Sequence, residues 1–330
     1  MTNFKKNFFQ TTKLRKETTI SFVDGKIYSP QEEQKNMGEE LTDLNKMNKL
    51  SRRNFLTDGS LGLAVALAVG TTTTPAFAET PSEQEARANL REVALLQQKA
   101  FEYTNKFNFE KADIIWTQLI QKNESIAAAW SNRGNCRTSI GRFSDAIEDF
   151  SRAMELAPME PDPYLGRGVA FEGLGEYEKA LKDYETANSK SVAMFGREDP
   201  VTYNNRANAQ AGLGRWKEVR ENYQKAYLME RDYVFPRASE ALVLYQLGED
   251  EASLAAMRFL VKKYPTFPDM HAGLTAVYWA TGKGALAESE WSAVLQQDSR
   301  YQDINWVRTI RRWPPKATDS LEQFLTFQKR

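Results

Sequence analysis

The chain carries a single histidine, His271, and a single cysteine, Cys136. These two residue types most readily do chemistry near neutral pH, as proton shuttle, nucleophile or metal ligand. One of each excludes an internal disulfide and a Cys/His zinc cluster. Acid–base catalysis centred on His271 requires a partner constellation that the sequence does not supply, so His271 reads as structural. Cys136 reads as a small buried hydrophobe. No Gly-rich phosphate loop follows a strand, and no strand pattern is present at all. Paired carboxylates recur along the chain, but they read as solvated helical surface. The one place left for concealed catalysis is the tail, around Trp306, Arg311, Arg312 and Trp313. A deep polar pocket there would be its signature. The expectation is a protein that is not an enzyme and takes no metal and no cofactor.

The elements that carry these residues belong to an ordinary globular composition, 41% hydrophobic and 27% charged over 330 residues. The 44 basic residues equal the 44 acidic ones, so no overall basic charge marks a nucleic-acid binder.

The first quarter reads as an address. Residues 51–56 are Ser-Arg-Arg-Asn-Phe-Leu, followed by the apolar run LGLAVALAVG at 61–70 and by Ala76, Phe77 and Ala78. Paired arginines, a short apolar run and a small-x-small end are the parts of an export signal. The run is too short for a bilayer span, which needs roughly 20 residues. The segment resembles twin-arginine translocation signals, which Ser51, Arg52, Arg53, Phe55 and Leu56 match, with cleavage expected after Ala78. Residues 1–50 precede it as an extension expected to be disordered. Its first sixteen residues contain Lys5, Lys6, Lys13, Arg15 and Lys16 and no acid, which fits a plastid transit peptide. Residues 31–43, QEEQKNMGEELTD, are acidic and depart from that pattern. A transit peptide ahead of a twin-arginine signal resembles the bipartite address of thylakoid lumen proteins. The acidic stretch keeps a bacterial periplasmic protein as the alternative.

From about residue 93 the chain repeats. Gly141 and Gly175 are 34 residues apart, and Gly214, Gly248 and Gly282 continue at the same step. Six units fit: 93–126, 127–160, 161–194, 200–233, 234–267 and 268–301, with FGRED at 195–199 inserted after the third. The eighth position is small in every unit: Ala100, Gly134, Gly168, Ala207, Ala241 and Thr275. A second column holds Ala112, Ala146, Ala180, Val219, Ser253 and Ala287. One helical turn further a large residue stands in each: Trp116, Phe150, Tyr184, Tyr223, Met257 and Trp291. Small against large is how close helix pairs interlock. The first unit has Phe107 where the others have the turn glycine and is degenerate. A 34-residue period is that of the tetratricopeptide repeat, and residues 93–301 resemble that family. The resemblance implies an all-α, right-handed solenoid of six helix pairs over residues 79–301. Such arrays need ends, so residues 302–330 are expected to form a helical cap over the sixth unit around Trp291 and Val294. Within the cap, Ile304, Val307 and Ile310 are expected on one helical face, and Asp319 with Glu322 to open a last helix as a capping box. The Arg-Trp-Pro-Pro element of the cap resembles the tail of lumenal tetratricopeptide proteins of plants and algae.

The resemblance also implies a concave groove lined by the first helix of each unit, which takes an extended peptide. Groove positions hold Ser131, Asn132, Asn135 and Thr138 in the second unit, and Asn204, Asn205, Asn208 and Ala211 in the fourth. An amide offers a donor and an acceptor, so it pairs with a peptide backbone of any sequence. The C-terminal half instead presents Leu242, Tyr245 and Trp279, with Phe235 nearby, a candidate apolar anchor for partner side chains. The family's carboxylate clamp needs Lys at the fifth position of its first unit. Gln97, Ser131 and Leu165 stand at that position, which speaks against binding acidic C-terminal tails in that manner. The expected partner is a protein or extended peptide, with no nucleic acid. The mature form is expected not to span the membrane and to touch it at most peripherally. The expected role is a lumenal scaffold in assembly or maintenance of photosynthetic membrane complexes.

Overall fold

The computed structural model describes Phe22–Val23, Lys26–Ile27 and residues 80–328. Phe22–Val23 (β1) and Lys26–Ile27 (β2) pair antiparallel, Phe22 opposite Ile27 and Val23 opposite Lys26. No strand is expected from the sequence at large. Here, however, Phe22, Val23 and Ile27 are residue types that favour strands. The targeting residues Arg52, Arg53, Phe55, Leu56, Ala76 and Ala78 lie outside the described residues, as does the rest of the extension 1–50.

The body is twelve helices in six antiparallel pairs. They are α1 (Pro81–Asn105) with α2 (Phe109–Lys122), α3 (Ala127–Ser139) with α4 (Phe143–Leu156), and α5 (Pro161–Gly173) with α6 (Tyr177–Phe195). The array continues with α7 (Pro200–Gly212) and α8 (Trp216–Met229), α9 (Val234–Gln246) and α10 (Asp250–Lys263), then α11 (Pro268–Ala280) and α12 (Gly284–Gln297). The pairing is the solenoid that the period predicts. First helices of successive units also touch, α3 with α5, α5 with α7 and α9 with α11. Second helices have no comparable contact, so the first helices form the inner, more crowded layer.

The small-and-large columns explain the close approach. Ala100, Ala207, Ala241 and Thr275 are fully buried, as are Ala112, Ala146, Ala180, Val219, Ser253 and Ala287. A Cβ at Gly168 would lie 2.4 Å from the Tyr184 ring, so only glycine lets that ring seat. The turn after each first helix is left-handed. Five turns use glycine, Gly141 to Gly282, and the first uses Phe107 at φ 58°. A side chain in that conformation costs roughly 1–2 kcal/mol, a local weakness of the degenerate unit. The insertion lengthens α6, which Gly196 then ends at φ 68°. Asp199 restarts the array by accepting bonds from the backbone N–H groups of Val201 and Thr202 at the head of α7.

After α12 the chain does not form one regular cap helix. A 3-10 turn (Ser299–Gln302) leads to a single turn, α13 (Ile304–Trp306), then a π-helical turn (Val307–Arg311), then α14 (Pro315–Gln328). Of the face expected at Ile304, Val307 and Ile310, only Val307 is fully buried. The last helix begins at Pro315, four residues before Asp319, with no capping box. Its early start has a clear cause: the orphan N–H of Lys316 donates to Gln246 Oε1 at 2.8 Å, so a groove side chain satisfies the helix end.

Candidate functional site

The inner layer carries most of the residues singled out above, and the tail lies across part of it. α14 packs on α11 and α9, the first helices of units six and five. Ala317, Leu321, Phe324 and Leu325 bury into the same core cluster as Leu242, Met257 and Trp291. The cap function holds, since Phe324 meets Trp291 edge to face at 5.6 Å and Val294 is fully buried. The tail does more than cap, however. It occupies the C-terminal half of the inner face.

That occupancy corrects the expected apolar anchor. Tyr245, 2% exposed, bonds Ser320 Oγ at 2.9 Å, and Lys316 Nζ sits 4.0 Å from its ring centroid. Trp279 stacks against Phe324 at 5.5 Å and Phe327 at 4.8 Å. Leu242 is buried beside Gly273 of the next unit. These three residues hold the chain's own tail and neighbouring unit, not an open surface. An amphipathic helix linked directly to unit six buries its apolar face on the nearest apolar surface, which is this one. Phe235 packs against Phe267, ring centroids 6.3 Å apart.

Two buried carboxylates bind the elbow of the tail. Asp269, in the first turn of α11, accepts Arg311 Nε at 3.1 Å and Nη2 at 2.6 Å, Trp313 Nε1 at 2.9 Å and the Tyr301 hydroxyl. Burial alone would raise its pKa; Arg311 and the two further donors outweigh that and hold it below the usual carboxylate range. Glu172, in the last turn of α5, accepts Arg312 Nη1 and the Tyr184 hydroxyl, the latter at 3.1 Å. Arg312 thus crosses from the tail to unit three, 140 residues away in sequence. It does so with φ 53° and ψ 43°, left-handed for a residue with a full side chain. Arg311 and Trp313, candidates for hidden catalysis, direct their donors at Asp269, and Trp306 stacks edge-on to Tyr301 at 5.1 Å. Among the described residues no group of three or more His, Cys, Asp or Glu is placed to hold a metal ion.

The amide wall divides into bonded and unbonded members. Asn132 Nδ2 donates back to the Ala128 carbonyl at 2.8 Å, within its own helix. Asn208 Oδ1 accepts the Tyr223 hydroxyl at 2.6 Å. Asn204 Nδ2 reaches Asn205 Oδ1 at 3.4 Å. By contrast Asn135 Oδ1 and Asn205 Nδ2 are buried with no partner among the described residues, in residues 5% and 4% exposed. Ser131 and Thr138 are buried beside them, and Thr138 Oγ1 bonds its own helix at the Gly134 carbonyl.

Sequence reasoning missed the pairing of Asp269 and Glu172 with the tail. It also missed a repeated clamp. Arg133 forks onto Asp149 and reaches Thr117 of the preceding unit; Arg167 forks onto Asp183 and reaches Ser151. The 34-residue step between Arg133 and Arg167, and between Asp149 and Asp183, was the available signal.

Helix pairs at this period with an interlocking small-and-large column define an α-solenoid built for contact along an inner face. The chain contains a tetratricopeptide repeat: residues 127–159 match the family described as Tetratricopeptide repeat. Its fold is shared by a tetratricopeptide repeat protein of Parabacteroides merdae (TM-score 0.53, 16% identical, covering 73% of this chain and 100% of that one). It is shared too by Pseudomonas aeruginosa pilF (TM-score 0.55, 13% identical, covering 73% and 99%). In sequence the chain is similar to sperm-associated antigen 1A of Danio rerio, 35% identical over 82 residues. That match spans 25% of this chain and 19% of the relative, so the likeness concerns a repeat segment and not the whole protein.

Proposed function

We propose that the protein is a non-enzymatic interaction scaffold that holds an extended segment of a protein partner on the open part of its inner face. The observation that carries this is the pair of unpartnered amide atoms, Asn135 Oδ1 and Asn205 Nδ2. Buried polar atoms left without hydrogen bonds cost about 1–3 kcal/mol each and are rare in native proteins. One is an acceptor and the other a donor, the complement of a peptide N–H and C=O. Both lie on first helices, in units two and four, beyond the half that α14 covers, and they meet a peptide by turning out from the buried positions they hold.

The scaffold works in the thylakoid lumen, assisting assembly or maintenance of photosynthetic membrane complexes. The succession of sixteen acid-free opening residues, twin arginines, apolar run and Ala76, Phe77 and Ala78 supports that place. The groove reading is tested by capture from isolated thylakoids with protein beginning at Glu79. The variant with Asn132, Asn135, Asn205 and Asn208 all changed to Ala should lose its partners by orders of magnitude while keeping its helical content. Unchanged capture by that folded variant overturns the reading. The place is tested by import of the variant with Arg52 and Arg53 both changed to Lys. Transport should stop, and should stop equally when the pH gradient is collapsed. Import that survives both treatments sinks the lumenal assignment.

A further inference from the structure

Arg312 is the middle one of three consecutive tail residues aimed at the inner face, and it differs from its neighbours. Arg311 and Trp313 both anchor on Asp269. Arg312 points the other way, to Glu172, and its side chain stays 27% exposed against 6% for the carboxylate it meets. Its backbone is left-handed, which disfavours any residue carrying a Cβ. A strained residue between two firm anchors is a place where conformation is held by the contact it makes and not by local preference.

Glu172 states the complementary need. It lies in the inner-layer helix α5, and within the repeat array only a hydroxyl, that of Tyr184, bonds it. A buried carboxylate requires a cation or several donors. Among the described residues no cation of the repeat units meets it; the one that does arrives from the tail. The rest of the tail does not depend on this contact, because α14 is seated by Tyr245, Gln246, Trp279 and its own apolar face.

We propose that Glu172 is the receptor for an arginine presented by an extended segment of the partner, and that Arg312 fills that position in cis until the partner takes it. The proposal rests on the inner-face reading above and adds the chemistry of the segment. Peptide backbone meets the amides of units two and four, and a guanidinium between them meets Glu172 in unit three. Arginine is the cation the place already holds, with Arg312 Nη1 on Glu172 Oε1 while the Tyr184 hydroxyl occupies Oε2. Exchange swings only the elbow at Arg312 outward and leaves α14 docked.

The test uses the whole chain and a short acetylated, amidated Gly/Ser peptide with one central arginine; a twin peptide carries neutral citrulline instead. Arg312→Gly removes the guanidinium while keeping a residue at ease in the left-handed region. It should bind the arginine peptide at least about tenfold more tightly than the unchanged protein does. The citrulline peptide should bind neither. Adding Glu172→Gln to Arg312→Gly should erase the gain. Hydrogen exchange over residues 315–328 reports whether α14 stays docked, and Arg312→Asn serves as the second elbow variant. Equal binding by Arg312→Gly and the unchanged protein overturns the proposal, and so does a gain that survives Glu172→Gln. If α14 undocks in both elbow variants, an elbow that moves alone is refuted. The amide positions are untouched throughout. Failure here therefore leaves the inner-face reading standing or falling on the capture experiment with the asparagine variant.

Discussion

Asn135 and Asn205 differ from their neighbours in what their removal should do. A buried amide that bonds within the fold leaves its partner stranded when truncated, at a cost of about 1–3 kcal/mol. Asn135 Oδ1 and Asn205 Nδ2 have no such partner among the described residues, and Asn205 Oδ1 takes only the long 3.4 Å contact from Asn204 Nδ2. Asn135→Ala with Asn205→Ala should therefore shift the melting temperature by only a few degrees in calorimetry, whereas partner capture falls. A steep loss of stability would assign both amides to the scaffold. Cys136 offers a second check at this scale. It is buried, and burial pushes its thiol up to about 12. The thiolate is the reactive form, so Ellman's reagent should leave the folded protein unlabelled at neutral pH and label it in denaturant. Prompt labelling of the native form would mean that unit two opens. The packing columns were legible because six copies of one geometric demand reinforce each other, from Ala100 to Thr275. The amides were legible as positions but not as states. Whether Asn132 bonds its own helix or Asn208 accepts from Tyr223 depends on side-chain placement that a lone sequence does not encode.

Among elements, the tail was the hardest to read, and its ionic anchors show why. Asp269 and Arg311 are 42 residues apart and Glu172 and Arg312 are 140 apart, so no local period links them. The sequence does show that a cap is needed, but not that the cap lies across the inner face of units five and six. The start of α14 depends likewise on Gln246, a residue of another unit. Removing one partner of a buried ion pair costs about 3–5 kcal/mol. Asp269→Ala strands Arg311 and leaves Trp313 and Tyr301 without their acceptor. It should destabilise the protein by that order in urea titration and raise hydrogen exchange over residues 299–328. Exchange that stays slow there would show that the apolar face of α14 holds the tail unaided. The same anchor has an acid limit. The folded pKa of Asp269 lies below its unfolded value, so its contribution is present above about pH 4 and fades as pH falls through the folded pKa. His271 runs the opposite way. Burial lowers its pKa, but Glu290 at 2.6 Å and the Pro265 carbonyl at 3.0 Å outweigh burial and raise it. Its contribution is complete below about pH 6.5 and is lost as pH rises through the folded pKa. His271→Gln should flatten the stability profile above that point. An unchanged slope would show that His271 is neutral in the fold.

Taken whole, a repeat array is nearly one-dimensional, since each unit touches only its neighbours and stability is a sum of local terms. Such arrays fray from the ends and unfold in parts. This chain departs from that rule at one end. The tail ties unit six to unit five through Tyr245, Gln246 and Asp250, and reaches unit three through Arg312 and Glu172. Units three to six are therefore joined by contacts that skip neighbours. At the other end, α1 extends beyond unit one as an exposed stretch, and the turn of that unit puts Phe107 in a left-handed conformation. Native-state hydrogen exchange in rising denaturant should accordingly show two cooperative blocks. Units one and two should open first, through partial unfolding, and units three to six should open together near the global transition. Deleting residues 302–330 removes both the non-neighbour ties and several hundred Å² of apolar burial, worth several kcal/mol at ~25 cal/mol per Å². The second block should then break into a graded series in which unit six opens earliest. Arg312→Gly, which cuts only the tie to unit three, should free unit three from the block while units five and six still open as one. A chain whose units open in simple order from both ends, with or without the tail, would show that α14 adds burial but no coupling.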